Sequence, residues 1–392
     1  MAGIHAPTCL LFGAWLLLSG CVTTAVQNRY DNPPPPQNHN PALLTGAIVF
    51  GEEVSSDEVA TVDVLARDAA MDLFVETYVS GHRLSAARLR RLMNQLSREG
   101  YFDDSYDANK TQTAQETFHS RRGNCLSYTN LFIALARAAG LEAHYQIVAV
   151  PPTWNADAGM LIRNNHINVR LTGARFDQMY SDEYTVDFNA LSSTQEYSKW
   201  PVSDAYARSL YYANVSVENI RLGENRAGFA YLVKAIELVP GNPDLWINLG
   251  AFYGRHDELE LAIEAFHVAL ELEPNNKTAM SGLARGHRHL GRIELAESYE
   301  RRVRSYRQRN PYYHFAVAQS AFAEKRFDKT LVAINRAINI KGRDSRFYFL
   351  KGLAEQNLGD ENAAKKSFAK ARRYGARENE RRRNATGYTI TG

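Results

Sequence analysis

The chain has 392 residues, 45% of them hydrophobic and 23% charged, with a formal net charge of +3 at pH 7. That length leaves room for two or three packed domains, and so small a net charge argues for neither nucleic-acid nor membrane-surface binding. Nothing after residue 20 approaches the roughly 18 consecutive apolar residues that a spanning helix needs.

Residues 10–18, Leu-Leu-Phe-Gly-Ala-Trp-Leu-Leu-Leu, form a short apolar run followed by small residues, the pattern of a cleaved export signal over residues 1–20. Leu18-Ser19-Gly20-Cys21 resembles the bacterial lipoprotein lipobox. The resemblance implies that Cys21 is acylated and becomes the mature N-terminus, holding the chain on a membrane by its lipid. Val22 in the following position implies, by the lipoprotein sorting pattern, the periplasmic face of an outer membrane. One departure is the stretch before residue 10, which has His5 but no Lys or Arg. Within residues 21–50, the four prolines of Asn32-Pro33-Pro34-Pro35-Pro36-Gln37-Asn38 suit a stiff tether. Cys9 leaves with such a signal and Cys21 carries lipid, so Cys125 is the one thiol left. A lone cysteine in an exported protein points to reactivity more than to a disulfide.

Ser55-Ser56-Asp57-Glu58 contains a Ser-x-x-Glu capping box. Val59, Val62, Ala66, Ala69 and Leu73 then predict an amphipathic helix ending near Ser80-Gly81, and Leu89, Leu92, Met93 and Leu96 a second, stopped by Gly100. Asp103 to Thr113 reads as loop, and Gln115 to Ser120 as a short helix. A glycine turn then delivers Cys125 to the start of a helix whose stripe is Leu131, Phe132, Leu135 and Ala138, with Gly140 as its left-handed end. The positive end of a helix favours thiolate over thiol, so Cys125 stands where a cysteine becomes a nucleophile; a small buried hydrophobe is the bland alternative.

The period then changes from helical to alternating. Ala143 to Val150 predicts a strand stopped by Pro151-Pro152, Thr153 to Asn164 a loop, His166 to Leu171 a second strand and Tyr184 to Asn189 a third. Alternation puts Ile167, Val169 and Leu171 on one face and His166, Asn168 and Arg170 on the other, and separates Val186 from Asp187 in the same way. His166 and Asp187 therefore belong to polar faces that could line a cleft. The order Cys125, His166, Asp187 supplies a thiol, an imidazole to take its proton and a carboxylate to orient the imidazole. His144 is the other candidate base, and Asp177, Asp182 and Asn189 are the other candidates for the third position. The backbone N–H of Cys125 is the natural oxyanion donor, with Gln112 and Gln115 as side-chain alternatives.

In Gly123-Asn124-Cys125-Leu126-Ser127-Tyr128, Leu135-Ala136-Arg137-Ala138-Ala139-Gly140-Leu141, His166-Ile167-Asn168-Val169 and Val186-Asp187-Phe188, the sequence resembles the transglutaminase-like superfamily of papain-related cysteine enzymes. The resemblance covers about residues 50–195. It implies an α+β domain over residues 51–205, helices plus an antiparallel sheet, with Cys125 as nucleophile, His166 as general base and Asp187 as its orienter. Many members carry a Trp soon after the histidine, where this chain has Asn168.

From about residue 209 a period of 34 takes over: Tyr212, Trp246, Met280, His314 and Tyr348 recur at that interval. In phase with them run the small positions Ser216, Gly250, Ala284, Ala318 and Gly352. Two further sets follow, Gly228, Ala262, Ala296, Thr330 and Ala364, then Ala235, Ala269, Val303, Ala337 and Ala371. Trp246, Leu249, Gly250, Tyr253, Ala262, Phe266, Ala269 and Pro274 resemble the tetratricopeptide consensus nearly in full. The resemblance implies an all-α solenoid of about five frames over residues 206–376 that binds peptides or partner proteins. The weak first frame suggests that its helices also pack on the preceding domain. The third frame is degenerate at Glu300 and arginine-rich, with Arg285, Arg288, Arg292, Arg301, Arg302, Arg304, Arg307 and Arg309, which reads as a solvated face before it reads as an anion site. Arg381-Arg382-Arg383 belongs to a basic flexible tail, residues 377–392.

His267, His287 and His289 lack acids at ligand spacing and there is no glycine-rich phosphate loop, so neither metal nor cofactor is expected. The sequence thus points to an exported, lipid-anchored cysteine hydrolase or acyltransferase acting on amide bonds, its repeats binding a protein substrate or partner. Peptidase, deamidase and transglutaminase differ only in leaving group and acceptor, which a triad does not encode. The rival reading is an inactive adaptor of the cell envelope that works through its repeats.

Overall fold

The computed structural model describes residues 33–83, 85–101, 107, 109–157, 160–172, 183–188, 198–384 and 389–391. The expected export signal and the lipobox cysteine, Cys21, lie outside them.

The first half is α+β. Helices α1 (Ala69–Tyr78), α2 (Ser85–Arg98), α3 (Ala114–Ser120) and α4 (Cys125–Ala138) precede strands β1 (Glu142–Asp157), β2 (Met160–Thr172), β3 (Glu183–Asp187) and β4 (Lys199–Val202). The sheet is antiparallel in the order β4-β1-β2-β3-β5, where β5 (Thr389–Thr391) comes from the far end of the chain. Leu89, Leu92, Met93 and Leu96 line the buried face of α2, and Gly140 takes the left-handed φ of 70° that ends α4.

Several expected elements form differently. The capping box at Ser55 forms, but it closes only a 3-10 turn, Ser56–Glu58, and the helix expected to follow starts ten residues later at Ala69, capped by Asp68. Tertiary partners take the intervening backbone groups: the Val62 N–H donates to the Tyr212 hydroxyl at 2.9 Å, and Lys234 Nζ donates to the Val59 carbonyl at 2.9 Å. A helix begun at Ala69 turns Met71, Phe74 and Val75 inward and leaves Leu73 exposed. Second, Pro151-Pro152 does not stop the first strand. The register with β2 shifts between Val148 and Thr153, so the prolines, which have no N–H to give, sit in a bulge. The hairpin then runs on to Asp157 and Met160 in place of the expected loop. Third, the basic tail does not hang free. A last helix, α14 (Glu361–Asn384), extends through Arg381-Arg382-Arg383, and Thr389–Thr391 pairs with β3, which would otherwise be an edge strand with unpaired backbone groups.

The second half is a run of helix pairs: α5 (Asp204–Leu222) with α6 (Asn225–Leu238), α7 (Pro243–Arg255) with α8 (Leu259–Leu272), α9 (Lys277–His289) with α10 (Ile293–Arg309), α11 (Pro311–Ala323) with α12 (Phe327–Ile340), and α13 (Ser345–Asn357) with α14. The four in-phase residue sets are buried in every pair. Small residues stand where backbones meet large side chains: a Cβ added at Gly250 or Gly282 would lie 2.8 or 2.4 Å from the Phe266 ring. Two arginines of the third pair serve the array's own acids, Arg288 with Glu300 and Arg292 with Glu260.

One continuous apolar core joins both halves, from Leu43 through α4 and the sheet to Leu283, while Phe315, Ile334 and Phe347 centre a second. As the weak first frame suggested, α5 is shared with the preceding domain: Arg137 forks onto Asp204 at 2.5 and 2.9 Å, and the Thr111 N–H donates to Glu218 Oε1 at 2.8 Å. The proline-rich segment is likewise held. Residues 33–50 do not form a free tether but lie on the repeats, with Leu43 fully buried and its carbonyl accepting from the Tyr253 hydroxyl at 2.8 Å. A polyproline stretch has no internal hydrogen bonds, so its carbonyls stand open to a neighbouring surface. Gly241 gives them room: a Cβ there would sit 2.3 Å from the Pro33 and Pro34 oxygens.

Candidate functional site

The turn before Cys125 is built by hydrogen bonds that glycine and asparagine make possible. Gly123 has φ 153°, and a Cβ on it would lie 2.4 Å from the Ser127 Cβ. Asn124 caps the helix, its Oδ1 accepting from the Ser127 N–H at 3.0 Å while its Nδ2 donates to Thr111 Oγ1 at 2.7 Å. Ser127 Oγ in turn accepts from the Gln112 N–H at 2.8 Å. One turn on, buried Asn130 receives the Tyr145 hydroxyl at 2.7 Å and donates to the Gln112 carbonyl at 3.1 Å, tying α4 to β1. Cys125 is therefore the first residue of a helix whose entry is fixed on three sides, and its side chain is half-buried.

His166 lies opposite Val148, the last regular pair before the bulge in the β1–β2 hairpin. Asp187 ends β3, and its Oδ2 is 2.7 Å from His166 Nε2. Cys125 lies close enough to the same ring to favour a charge on it. Burial works against a charge on His166, but the hydrogen bond to Asp187 and the nearness of Cys125 outweigh it, and its pKa is pushed up from 6.5 to about 10. The imidazole is thus held as imidazolium at neutral pH. The structure brings Cys125, His166 and Asp187 together although 41 and 21 residues separate them along the chain. It differs from the expected cleft in one respect: His166 and Asp187 are only 4% and 7% exposed, so of the three it is Cys125 that meets solvent.

The alternatives fare differently. His144 is exposed on β1 opposite Arg170, away from the sulfur's partners. Asp177, Asp182 and Asn189 lie outside the described residues. Gln115 Nε2 is engaged by Asp68 Oδ2 at 3.1 Å, and Gln112 Oε1 accepts from Ser120 at 2.9 Å, so neither amide is free of structural duty. The Cys125 N–H is among the first four of α4, which have no intrahelical partner. One residue that sequence reasoning passed over is Asn168, whose Nδ2 donates to Asp187 Oδ2 at 3.0 Å. The signal was there, a polar residue two along from His166 on the same face of a strand.

Among the described residues no helix is long and apolar enough to cross a membrane. Residues 74–184 match the Transglutaminase-like superfamily, and residues 345–371 match the Tetratricopeptide repeat. An 85-residue stretch, 22% of this chain, is 36% identical to the Arabidopsis thaliana tetratricopeptide repeat domain-containing protein PYG7, chloroplastic, and spans 28% of that protein's length. Among solved structures, MamA 41-end from Desulfovibrio magneticus RS-1 aligns over 44% of this chain and 97% of its own at 16% identity, with a TM-score of 0.26. The APC/C hetero-tetramer Cut9-Hcn1 aligns over 43% of this chain and 33% of its own at 17% identity, with a TM-score of 0.28. The chain carries a transglutaminase-like domain followed by tetratricopeptide repeats.

Proposed function

We propose that the chain is a cysteine hydrolase or acyltransferase acting on amide bonds, with its repeats binding the protein substrate or a partner. The observation that carries this reading is His166, hydrogen-bonded to Asp187 at 2.7 Å and near enough to the half-buried Cys125 side chain for the two to act on each other's charge. In that arrangement the cysteine's proton resides on His166, so the pair works as thiolate and imidazolium. The Cys125 thiolate attacks the amide carbonyl carbon, forming a C–S bond as the carbonyl π electrons move onto oxygen. The oxyanion lies toward the N–H groups at the start of α4. Collapse of the intermediate breaks the C–N bond, and the His166 imidazolium gives its proton to the departing amine. A water or an amine then attacks the thioester and gives a proton to His166, the C–S bond breaks, and the Cys125–His166 pair is restored. Asp187 keeps its charge throughout and holds the ring in one orientation.

The same reading places the protein in a bacterial cell envelope, anchored by lipid on Cys21 at the periplasmic face of the outer membrane. There water outnumbers amines, which favours hydrolysis. The lipobox resemblance supports this location, and globomycin-sensitive processing with loss of labelled-palmitate incorporation in Cys21→Ala tests it. For the chemistry, iodoacetamide should label Cys125 rapidly at neutral pH, and His166→Ala should slow that labelling. Equal rates in the two proteins would leave the inactive-adaptor reading, which the burial of His166 and Asp187 favours. Capture on a Cys125→Ala variant in membranes then identifies the substrate.

A further inference from the structure

Asp187 is served by at least two donors. Its Oδ2 lies 2.7 Å from His166 Nε2 and accepts from Asn168 Nδ2 at 3.0 Å. Both donors stand on β2, two residues apart and hence on one face, and Asn168 is 1% exposed. The amide is poorly placed if packing is all it does. Its Oδ1 is buried with no hydrogen-bond partner among the described residues, and so is Oε1 of Gln146, the residue opposite Asn168 on β1. A buried acceptor left unsatisfied is unfavourable, and an aliphatic side chain of the same volume would avoid it. Among the described residues the amide's hydrogen bond goes to the carboxylate that orients the histidine, and that bond also decides which end of the amide points at Asp187.

We propose that Asn168 is the positioning residue of this site: it locks the Asp187 carboxylate so that Oδ2 stays aimed at His166 Nε2, and the ring in turn stays aimed at Cys125. The inference rests on the functional reading above. Asp187 ends β3, and a second donor on the same oxygen helps to hold the carboxylate's orientation about χ2. Asn168 touches no reacting atom. It acts through Asp187, and its loss should show as a change in how firmly His166 keeps its proton. Packing alone would not produce that effect.

The test compares the full chain with Asn168→Leu, which keeps the volume and drops the donor, and with Asn168→Val, which suits a strand should the leucine fail to fold. Histidines are labelled at the Cε1 carbon, and the His166 signal is identified by its loss in His166→Gln. In the unsubstituted protein the signal should stay that of imidazolium up to about pH 10. In the folded variants its titration midpoint should fall by about one pH unit, and iodoacetamide labelling of Cys125 at pH 7 should slow by about tenfold. A folded variant with unchanged midpoint and rate overturns the proposal. So does a crystal structure of the unsubstituted chain with the Asn168 amide turned from Asp187, whatever the variants do. If His166→Ala labels as fast as the unsubstituted chain, the cysteine–histidine reading itself has failed; a His166 midpoint that still moves in Asn168→Leu would uphold the Asn168–Asp187 link.

Discussion

The His166–Asp187 pair makes stability depend on pH in a direction that can be worked out. The histidine has a higher pKa folded than unfolded, so protonation favours the folded state. That contribution is complete below pH 6.5 and is lost as pH rises through about 10. Ten minus 6.5 is 3.5, and at about 1.4 kcal/mol per pH unit the whole contribution is on the order of 5 kcal/mol. The perturbation is Asp187→Asn, which keeps the side chain's shape and removes its charge. Urea unfolding followed by near-ultraviolet circular dichroism, repeated between pH 6 and 10, should show the unsubstituted protein losing several kcal/mol across that window. Asp187→Asn should start less stable and show a flatter profile, so the two curves converge toward pH 10. The window stops there because Tyr101 and Tyr253, pushed up to about 12 by burial, add their own pH dependence above it. Parallel profiles for the two proteins would show that Asp187 does not hold the charge on His166, and would refute the reasoning.

Four further outcomes are expected. Gly123→Ala forces a Cβ to 2.4 Å from Ser127 at a φ of 153°, so the melting temperature should fall by the equivalent of about 1–3 kcal/mol and Cys125 labelling should slow; unchanged labelling would show that the turn does not aim the thiol. Tyr253→Phe removes the hydroxyl that donates to the Leu43 carbonyl at 2.8 Å, and should cost about 1 kcal/mol and open residues 33–50 to proteolysis. Gly282→Ala overpacks against Phe266 and should destabilise the repeats by about 1–3 kcal/mol in thermal melts. Ending the chain after Asn384 removes the strand paired with β3, and whichever amides within residues 185–187 face that strand should then exchange with deuterium faster; identical exchange throughout would argue against that pairing.

Much of this protein was legible in its sequence because the signals are local or periodic. The 34-residue period places small residues wherever helix backbones meet, and those positions are buried from Tyr212 to Ala371. The alternation around His166 and Asp187 puts both on the polar side of their strands, and Gly123-Asn124 announces the helix that begins at Cys125. What the sequence could not decide is which backbone and carboxylate groups are claimed from far away. The helix expected after Ser55 yields because Tyr212 and Lys234, about 150 residues or more distant, take the intervening backbone groups. The proline-rich stretch is a docked strap because Gly241 and Tyr253 receive it, and the chain's last strand returns to β3. Asn168 reads in sequence as one more polar strand residue; only the pairing of β2 with β3 sets its amide on Asp187. Period and propensity fix which side a residue faces, but the partner it meets there depends on contacts between elements far apart along the chain, and those exist only once the core has closed.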